Sequence, residues 1–143
     1  MKRLILSLII AFISLGAFAQ NNLAKLKYED AEEAFAKESY QLVLTKLDDA
    51  EKMFGKVNAP ILYLRIMAQK NILDQTNFYT RAFAKHFPSL RTNVSTYLKV
   101  FQTGNAEKYK EVYKIGEMIS IHPKSAEFYQ AINLMDKPTF SQA

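Results

Sequence analysis

Acidic residues are the first candidates for chemistry, because two carboxylates that face each other across a cleft can act as acid and base. Seven of the 14 acidic residues occur in two clusters, Glu29, Asp30, Glu32 and Glu33, and Asp48, Asp49 and Glu51. Each cluster lies opposite the apolar stripe of its predicted helix, where a solvated face is expected. The acids of the first cluster also suit the positive N-terminal end of a helix. The pattern therefore favours surface charge over catalysis.

The remaining residue types offer no recognisable catalytic constellation. The two histidines are His86, near the end of a predicted helix, and His122, in a loop before a proline. The chain has no cysteine, which excludes thiolate nucleophiles and argues against a His/Cys metal site. Its glycines are isolated, so no phosphate-binding loop is predicted. We expect no catalytic residues, no metal and no cofactor, and a protein that is not an enzyme.

Basic and aromatic residues interleave in the middle of the chain, where residues 59–106 hold six bases and one acid. The candidate binding residues are Tyr63, Arg65, Gln69, Lys70, Arg81, Lys85 and Arg91. Basic and amide side chains can hold a peptide backbone or carboxylate, while a tyrosine supplies apolar contact. The alternative is that Tyr63 belongs to the core and the basic side chains extend along the helix edges into solvent.

Helices must position these residues, because apolar residues recur at helical spacing and no window alternates as a strand does. The sequence predicts an all-α fold with about seven helices. The first two span about residues 22–37 and 40–54, and their link is so short that they must form an antiparallel hairpin. Gly55 is suited to end the second helix, and Pro60 suits the first turn of the third.

The rest of the chain continues the helical pattern. The third helix is apolar over more than one face, which is typical of a central helix. The fourth is predicted to end at Phe87 because Pro88 follows it, and a fifth lies around residues 94–101. Asn105 and Ser125 are candidate caps for the last two helices.

The N-terminal residues have the three parts of a secretory signal peptide. Lys2 and Arg3 precede an apolar run over residues 4–15, and Ala17-Phe18-Ala19 matches a cleavage site. Cleavage there leaves Gln20 first and a net charge of +3, from 17 bases and 14 acids. An uncleaved membrane anchor is the alternative. The expected location is periplasmic or secreted, where nucleic acid is not an expected partner.

One hairpin resembles the tetratricopeptide repeat, a family of stacked helical hairpins. The likeness is carried by Ala31, Ala34, Tyr40, Leu47 and Ala50 in residues 31–55. A second match, Tyr79, Ala82 and Phe83, lies 39 residues after Tyr40, Val43 and Leu44. The resemblance covers about residues 24–88. It implies a short right-handed superhelix with a concave face that binds peptides or protein segments and does no chemistry of its own.

The expected organisation is a signal peptide over residues 1–19, a single helical domain over 20–135 and a polar tail over 136–143. The expected function is that of an exported, non-catalytic scaffold that binds a protein or peptide. The alternative is a basic module that binds a membrane surface, an anionic glycan or another anionic small molecule. A homo-oligomer is compatible with so short a repeat array.

Overall fold

The computed structural model describes residues 22–56 and 58–135. Within these two stretches the chain forms six helices and no strand, so the predicted all-α class is confirmed. The helices are α1 over residues 22–36, α2 (Tyr40–Phe54), α3 (Ala59–Asp74), α4 (Arg81–Val100), α5 (Ala106–Ser120) and α6 (Ala126–Met135).

Helix α4 continues past Pro88, so the predicted helix end at Phe87 is wrong. The predicted fourth and fifth helices form a single helix of 20 residues, so the described residues contain six helices where seven are predicted. A proline inside a helix removes one backbone hydrogen bond and costs about 3 kcal/mol. The buried side chains on both sides of it are Phe83, Ala84, Phe87, Leu90, Val94 and Tyr97. Each large one contributes about 1.5–3 kcal/mol on burial, so packing of the stripe outweighs the proline.

The local signals at other helix ends are confirmed. Gly55 ends α2 in the left-handed conformation, with a φ of 65°. The side chain of Asn105 accepts a hydrogen bond from the N–H of Lys108 at 3.0 Å, at the start of α5. The hydroxyl of Ser125 accepts one from the N–H of Phe128 at 3.3 Å, in the first turn of α6. These ends depend on neighbouring residues alone, which is why the sequence predicts them.

The chain divides within α3, between Ile61 and Leu62, into an N-terminal and a C-terminal unit. The predicted signal peptide and the predicted tail over 136–143 lie outside the described residues. The single domain over 20–135 stays a prediction. Within the described part of the chain, no helix is long and apolar enough to cross a membrane.

The N-terminal unit contains the hairpin of α1 and α2. The rings of Phe35 and Tyr40 lie 5.4 Å apart beside the link, and Lys46 pairs with Asp30 at 3.0 Å further from it. Because later residues of α2 meet earlier residues of α1, the two helices are antiparallel, as the short link predicts. The buried residues of this hairpin include Ala31, Ala34, Val43, Leu47 and Ala50.

The C-terminal unit contains most of α3 and the helices α4, α5 and α6. Helix α4 packs against both α5 and α6. Helix α5 lies against α4 at Gly116, where a Cβ would make ordinary van der Waals contacts with methyls of Val94 at 3.4 Å and Leu98 at 3.5 Å. The core residues of α5 and α6 are Val112, Ile115, Ile119 and Tyr129. Helix α4 is therefore the centre of this unit and positions what surrounds it.

Candidate binding pocket

An open apolar cavity lies in the C-terminal unit, and we call it the aromatic pocket. Its volume is about 360 Å³, at the lower end of the range for small-ligand sites. The helices that line it contribute Leu73 from α3, Phe83, Phe87 and Leu90 from α4, and Met118 and Ile119 from α5. The loops after α3 and α5 complete its wall with Phe78, Ile121 and His122.

Aromatic rings form the floor of the aromatic pocket. Phe83 and Phe87 lie one turn apart on α4, and their stacked rings have centroids 4.8 Å apart. Phe78, from the loop before α4, meets Phe83 edge-on with a centroid distance of 5.5 Å. Phe83 and Phe87 are buried, whereas Phe78 is 64% exposed. The floor is therefore fixed in the core, and one further ring stands at the mouth.

Large apolar side chains at the mouth are exposed to solvent. The exposed fractions are 64% for Phe78, 43% for Met118 and 80% for Ile121. A single exposed apolar residue needs no explanation, but several around a concave cavity mark an interaction site. The aromatic pocket is therefore the strongest candidate site in the described part of the chain.

Arg91 of α4 holds the loop that forms one wall of the aromatic pocket. Its guanidinium donates to the backbone carbonyls of Pro123 at 2.6 Å, His122 at 2.9 Å and Ile119 at 3.3 Å. The same group lies 4.7 Å from the centroid of the Phe87 ring. A planar guanidinium can make several fixed bonds at once. The loop after α5 is therefore tied to the middle of α4.

His122 presents a neutral ring to the aromatic pocket. Its ring centroid lies 4.9 Å from that of Phe87 and 5.1 Å from that of Phe78, and its Nδ1 lies 3.4 Å from the Tyr79 hydroxyl. Burial lowers the pKa of His122 below its usual value, and the positive charge of Arg91 lowers it further. At neutral pH the imidazole is therefore uncharged and packs as an aromatic ring with a polar edge.

Tyr79 adopts a backbone conformation that is rare for an aromatic residue, with a φ of 60°. Such a conformation costs of the order of 1–3 kcal/mol and persists where the surroundings hold it. The ring of Tyr79 lies edge-on to those of Phe83 at 5.8 Å and Phe128 at 5.6 Å. The next residue, Thr80, caps α4 by accepting the N–H of Phe83 at 3.3 Å. The ring contacts of Tyr79 and the helix cap of Thr80 therefore stabilise the turn that places Phe78 at the mouth of the pocket.

An ion pair between Lys70 and Asp74 lines the polar end of the aromatic pocket. Both side chains remain partly exposed, with 32% and 45% of their surface accessible. Nearby, the Thr76 hydroxyl donates to the carbonyl of Ile72 at 2.6 Å. The two charges compensate each other, so this end offers hydrogen-bonding groups and little net charge.

The structure does not gather the seven predicted binding residues into one patch. Among them, Lys70 lines the aromatic pocket and Arg91 is used inside the fold. Gln69 is buried: its Nε2 donates to the Ser89 hydroxyl and its Oε1 accepts from the Asn93 amide, both at 2.9 Å. Its amide groups therefore join α3 to α4 and do not lie on the surface where a peptide would bind.

The other four predicted residues are Tyr63 and Arg65 on α3 and Arg81 and Lys85 on α4. Tyr63 donates to Glu111, and Lys108 lies 4.7 Å from the centroid of its ring, so its hydroxyl and ring are used between α3 and α5. Arg65 is half-buried on α3. Arg81 and Lys85 are exposed one turn apart on α4. The roles of Tyr63 and Gln69 in binding a ligand stay predictions, and the polar groups of both residues have partners within the fold.

The first acidic cluster, Glu29, Asp30, Glu32 and Glu33, lies on an exposed surface with lysine partners. Glu33 pairs with Lys37 at 2.6 Å and Glu29 with Lys25 at 3.7 Å, in both cases one turn apart on exposed surface. Within the residues that the structure describes, no group of three or more histidine or acidic side chains is arranged to hold a metal ion.

Sequence reasoning missed the residues that define the mouth of the aromatic pocket. Phe78, Met118 and Ile121 belong to no predicted apolar stripe, and His122 is predicted to lie in a loop with no binding role. The one local signal is the pair of aromatic residues directly before Thr80, since a turn with two large rings is unusual. The pocket itself forms from segments far apart in sequence, and no local pattern reveals it.

Comparison with known proteins gives no relative. No protein-family model, curated protein or solved structure matches the chain.

Proposed function

We propose that this protein is an exported, non-catalytic binding protein that holds a protein or peptide segment by one apolar side chain in the aromatic pocket. The observation that carries the proposal is an open apolar cavity with exposed large side chains around its mouth. The signal-like residues 1–19 support export. The resemblance of residues 24–88 to tetratricopeptide repeats supports a peptide-binding role.

The charges near the aromatic pocket favour an apolar ligand over an anionic one. Lys70 is paired with Asp74, and the guanidinium of Arg91 is bonded to backbone carbonyls. An anion at this site would have to compete with both arrangements. Arg81 and Lys85 are exposed on α4 and line neither the aromatic pocket nor the cavity beside Gly116. The structure therefore supports the basic-patch alternative less well.

The test compares two exposed residues of similar burial. Peptides are selected from a random phage-displayed library against the purified protein, and their affinities are measured by calorimetry for the wild type, Phe78→Lys and Val100→Lys. Phe78 is 64% exposed at the mouth, and Val100 is 57% exposed at the far end of α4. We expect Phe78→Lys to weaken binding tenfold or more, because a charge at the mouth must be desolvated.

Val100→Lys is expected to leave the affinities within twofold of wild type. Peptides that bind Phe78→Lys as tightly as the wild type would contradict the proposal, provided that both variants melt at the wild-type temperature.

A further inference from the structure

We infer that the aromatic pocket selects a tyrosine or tryptophan side chain of a protein partner, with its ring beside Phe78 above the phenylalanine floor and its O–H or N–H donated to Asp74. This inference rests on the proposed function and names the chemistry of the bound group. It depends on the floor, the mouth and the polar end of the pocket.

The floor and mouth favour an aromatic guest over an aliphatic one. Phe78 already meets Phe83 edge-on at an interplanar angle of 69°, which is the arrangement that ring quadrupoles prefer. A guest ring beside the exposed ring of Phe78 would extend this pattern. Met118 stands at the mouth, and its thioether makes favourable contacts with ring edges. An aliphatic side chain would fill the same space without these directional contacts.

The polar end favours a ring that carries a hydrogen-bond donor. An ionised carboxylate offers about four acceptor sites. Lys70 engages one oxygen of Asp74, and the Asp74 side chain remains 45% exposed at the wall of the pocket. A tyrosine or tryptophan places an apolar ring and a single donor at opposite ends, which matches an apolar floor beside a carboxylate. Phenylalanine would fill the floor and leave the carboxylate to water.

The same ion pair disfavours charged guests. A lysine or arginine at this end would meet the positive charge of Lys70, and a carboxylate would meet the negative charge of Asp74. His122 is neutral and adds no charge to the wall. The pocket therefore presents one acceptor within surroundings of little net charge.

The test uses four short capped peptides that differ at one position, which is Trp, Tyr, Phe or Leu. The chain has no tryptophan, so the fluorescence of the Trp peptide is read without background, and NMR titration reports the other three. We expect the Tyr peptide to bind about fivefold tighter than the Phe peptide, the value of one hydrogen bond of about 1 kcal/mol. The Leu peptide is expected to bind more weakly than Phe.

Two variants separate the acceptor from the ion pair. Asp74→Ala and Lys70→Ala both break the same pair, but only the first removes the acceptor. We expect Asp74→Ala to bind Tyr and Phe peptides equally, and Lys70→Ala to keep the fivefold preference. Equal binding of the Tyr and Phe peptides by the wild type overturns the hydrogen bond to Asp74 even if neither variant folds.

The outcomes also separate this inference from the proposed function. A Leu peptide that binds as tightly as Phe overturns aromatic selection and leaves an apolar binding site. Failure of all four peptides to bind overturns the inference, while library-selected peptides that still depend on Phe78 would sustain the proposed function. Failure of both peptide sets would overturn both.

Discussion

Replacement of Arg91 by alanine tests whether one side chain holds the wall of the aromatic pocket. The substitution removes the bonds to the carbonyls of Ile119, His122 and Pro123 and the contact with the Phe87 ring. We expect the free energy of unfolding to fall by about 3 kcal/mol and peptide affinity at the pocket to fall with it, because the loop that carries His122 loses its attachment to α4.

The magnitude follows from the three bonds. A hydrogen bond from a charged donor contributes about 1.5–3 kcal/mol net. The loss on substitution is smaller than the sum over the three bonds. Because Arg91 is half-buried, the carbonyls that it frees can bind water. The loss is reduced again because the Tyr129 hydroxyl also donates to the Pro123 carbonyl, at 2.8 Å, and keeps that group satisfied. About 3 kcal/mol remains.

Urea unfolding at pH 7, followed by circular dichroism, measures the change. Arg81→Ala is the control, since Arg81 is exposed on the same helix and its loss should stay within about 0.5 kcal/mol. Arg91→Lys should recover less than half of the loss, because an ammonium lacks the planar fork. An Arg91→Ala variant as stable as Arg81→Ala would refute the reasoning.

Three further predictions concern the backbone and pH. Pro88→Ala should raise the free energy of unfolding by about 1–3 kcal/mol in urea, because α4 regains a backbone donor; a lower value would contradict this. Gly55→Ala should lower the free energy of unfolding by about 1 kcal/mol, because φ is 65° and an alanine is strained in this conformation. The added Cβ itself would meet nothing within 4 Å, so an unchanged midpoint of urea unfolding would show that the backbone strain is negligible. Burial lowers the pKa of both His86 and His122, with Lys85 and Arg91 adding to the effect, so the unfolded chain binds protons more readily. The contribution of the two histidines to the free energy of unfolding should therefore be fully present above about pH 6.5 and decline as the pH falls below it. Urea unfolding of a His122→Gln variant should show a shallower decline between about pH 7.5 and 5.5.

The sequence predicts those features that neighbouring residues determine. Gly55, Asn105 and Ser125 end or begin helices through bonds to residues within four positions, so their types suffice. The α1–α2 hairpin follows from a link too short for any other path. The helix end predicted at Pro88 is wrong because the cost of a proline in a helix is local, whereas the packing that outweighs this cost comes from α5 and α6.

In the candidate site, too, the sequence predicts what neighbouring residues determine and misses what distant residues determine. A run of basic residues predicts a charged surface, but Arg91 and Gln69 have their partners 20 or more residues away and are used inside the fold. The aromatic pocket brings Phe78 beside His122, which are distant in sequence and close only because α4 and α5 are antiparallel neighbours of the same core. Such long-range pairs leave no periodic signal in a single chain.

The five chain segments that line the aromatic pocket have a thermodynamic consequence. A guest that touches α3, α4, α5 and the loops after α3 and α5 binds the folded unit and has no equivalent site on the unfolded chain. Mass action then adds about 2.7 kcal/mol to stability at a ligand concentration 100 times Kd. A rise in the melting temperature therefore reports occupancy directly, and compounds or peptides can be ranked by it before any natural ligand is identified.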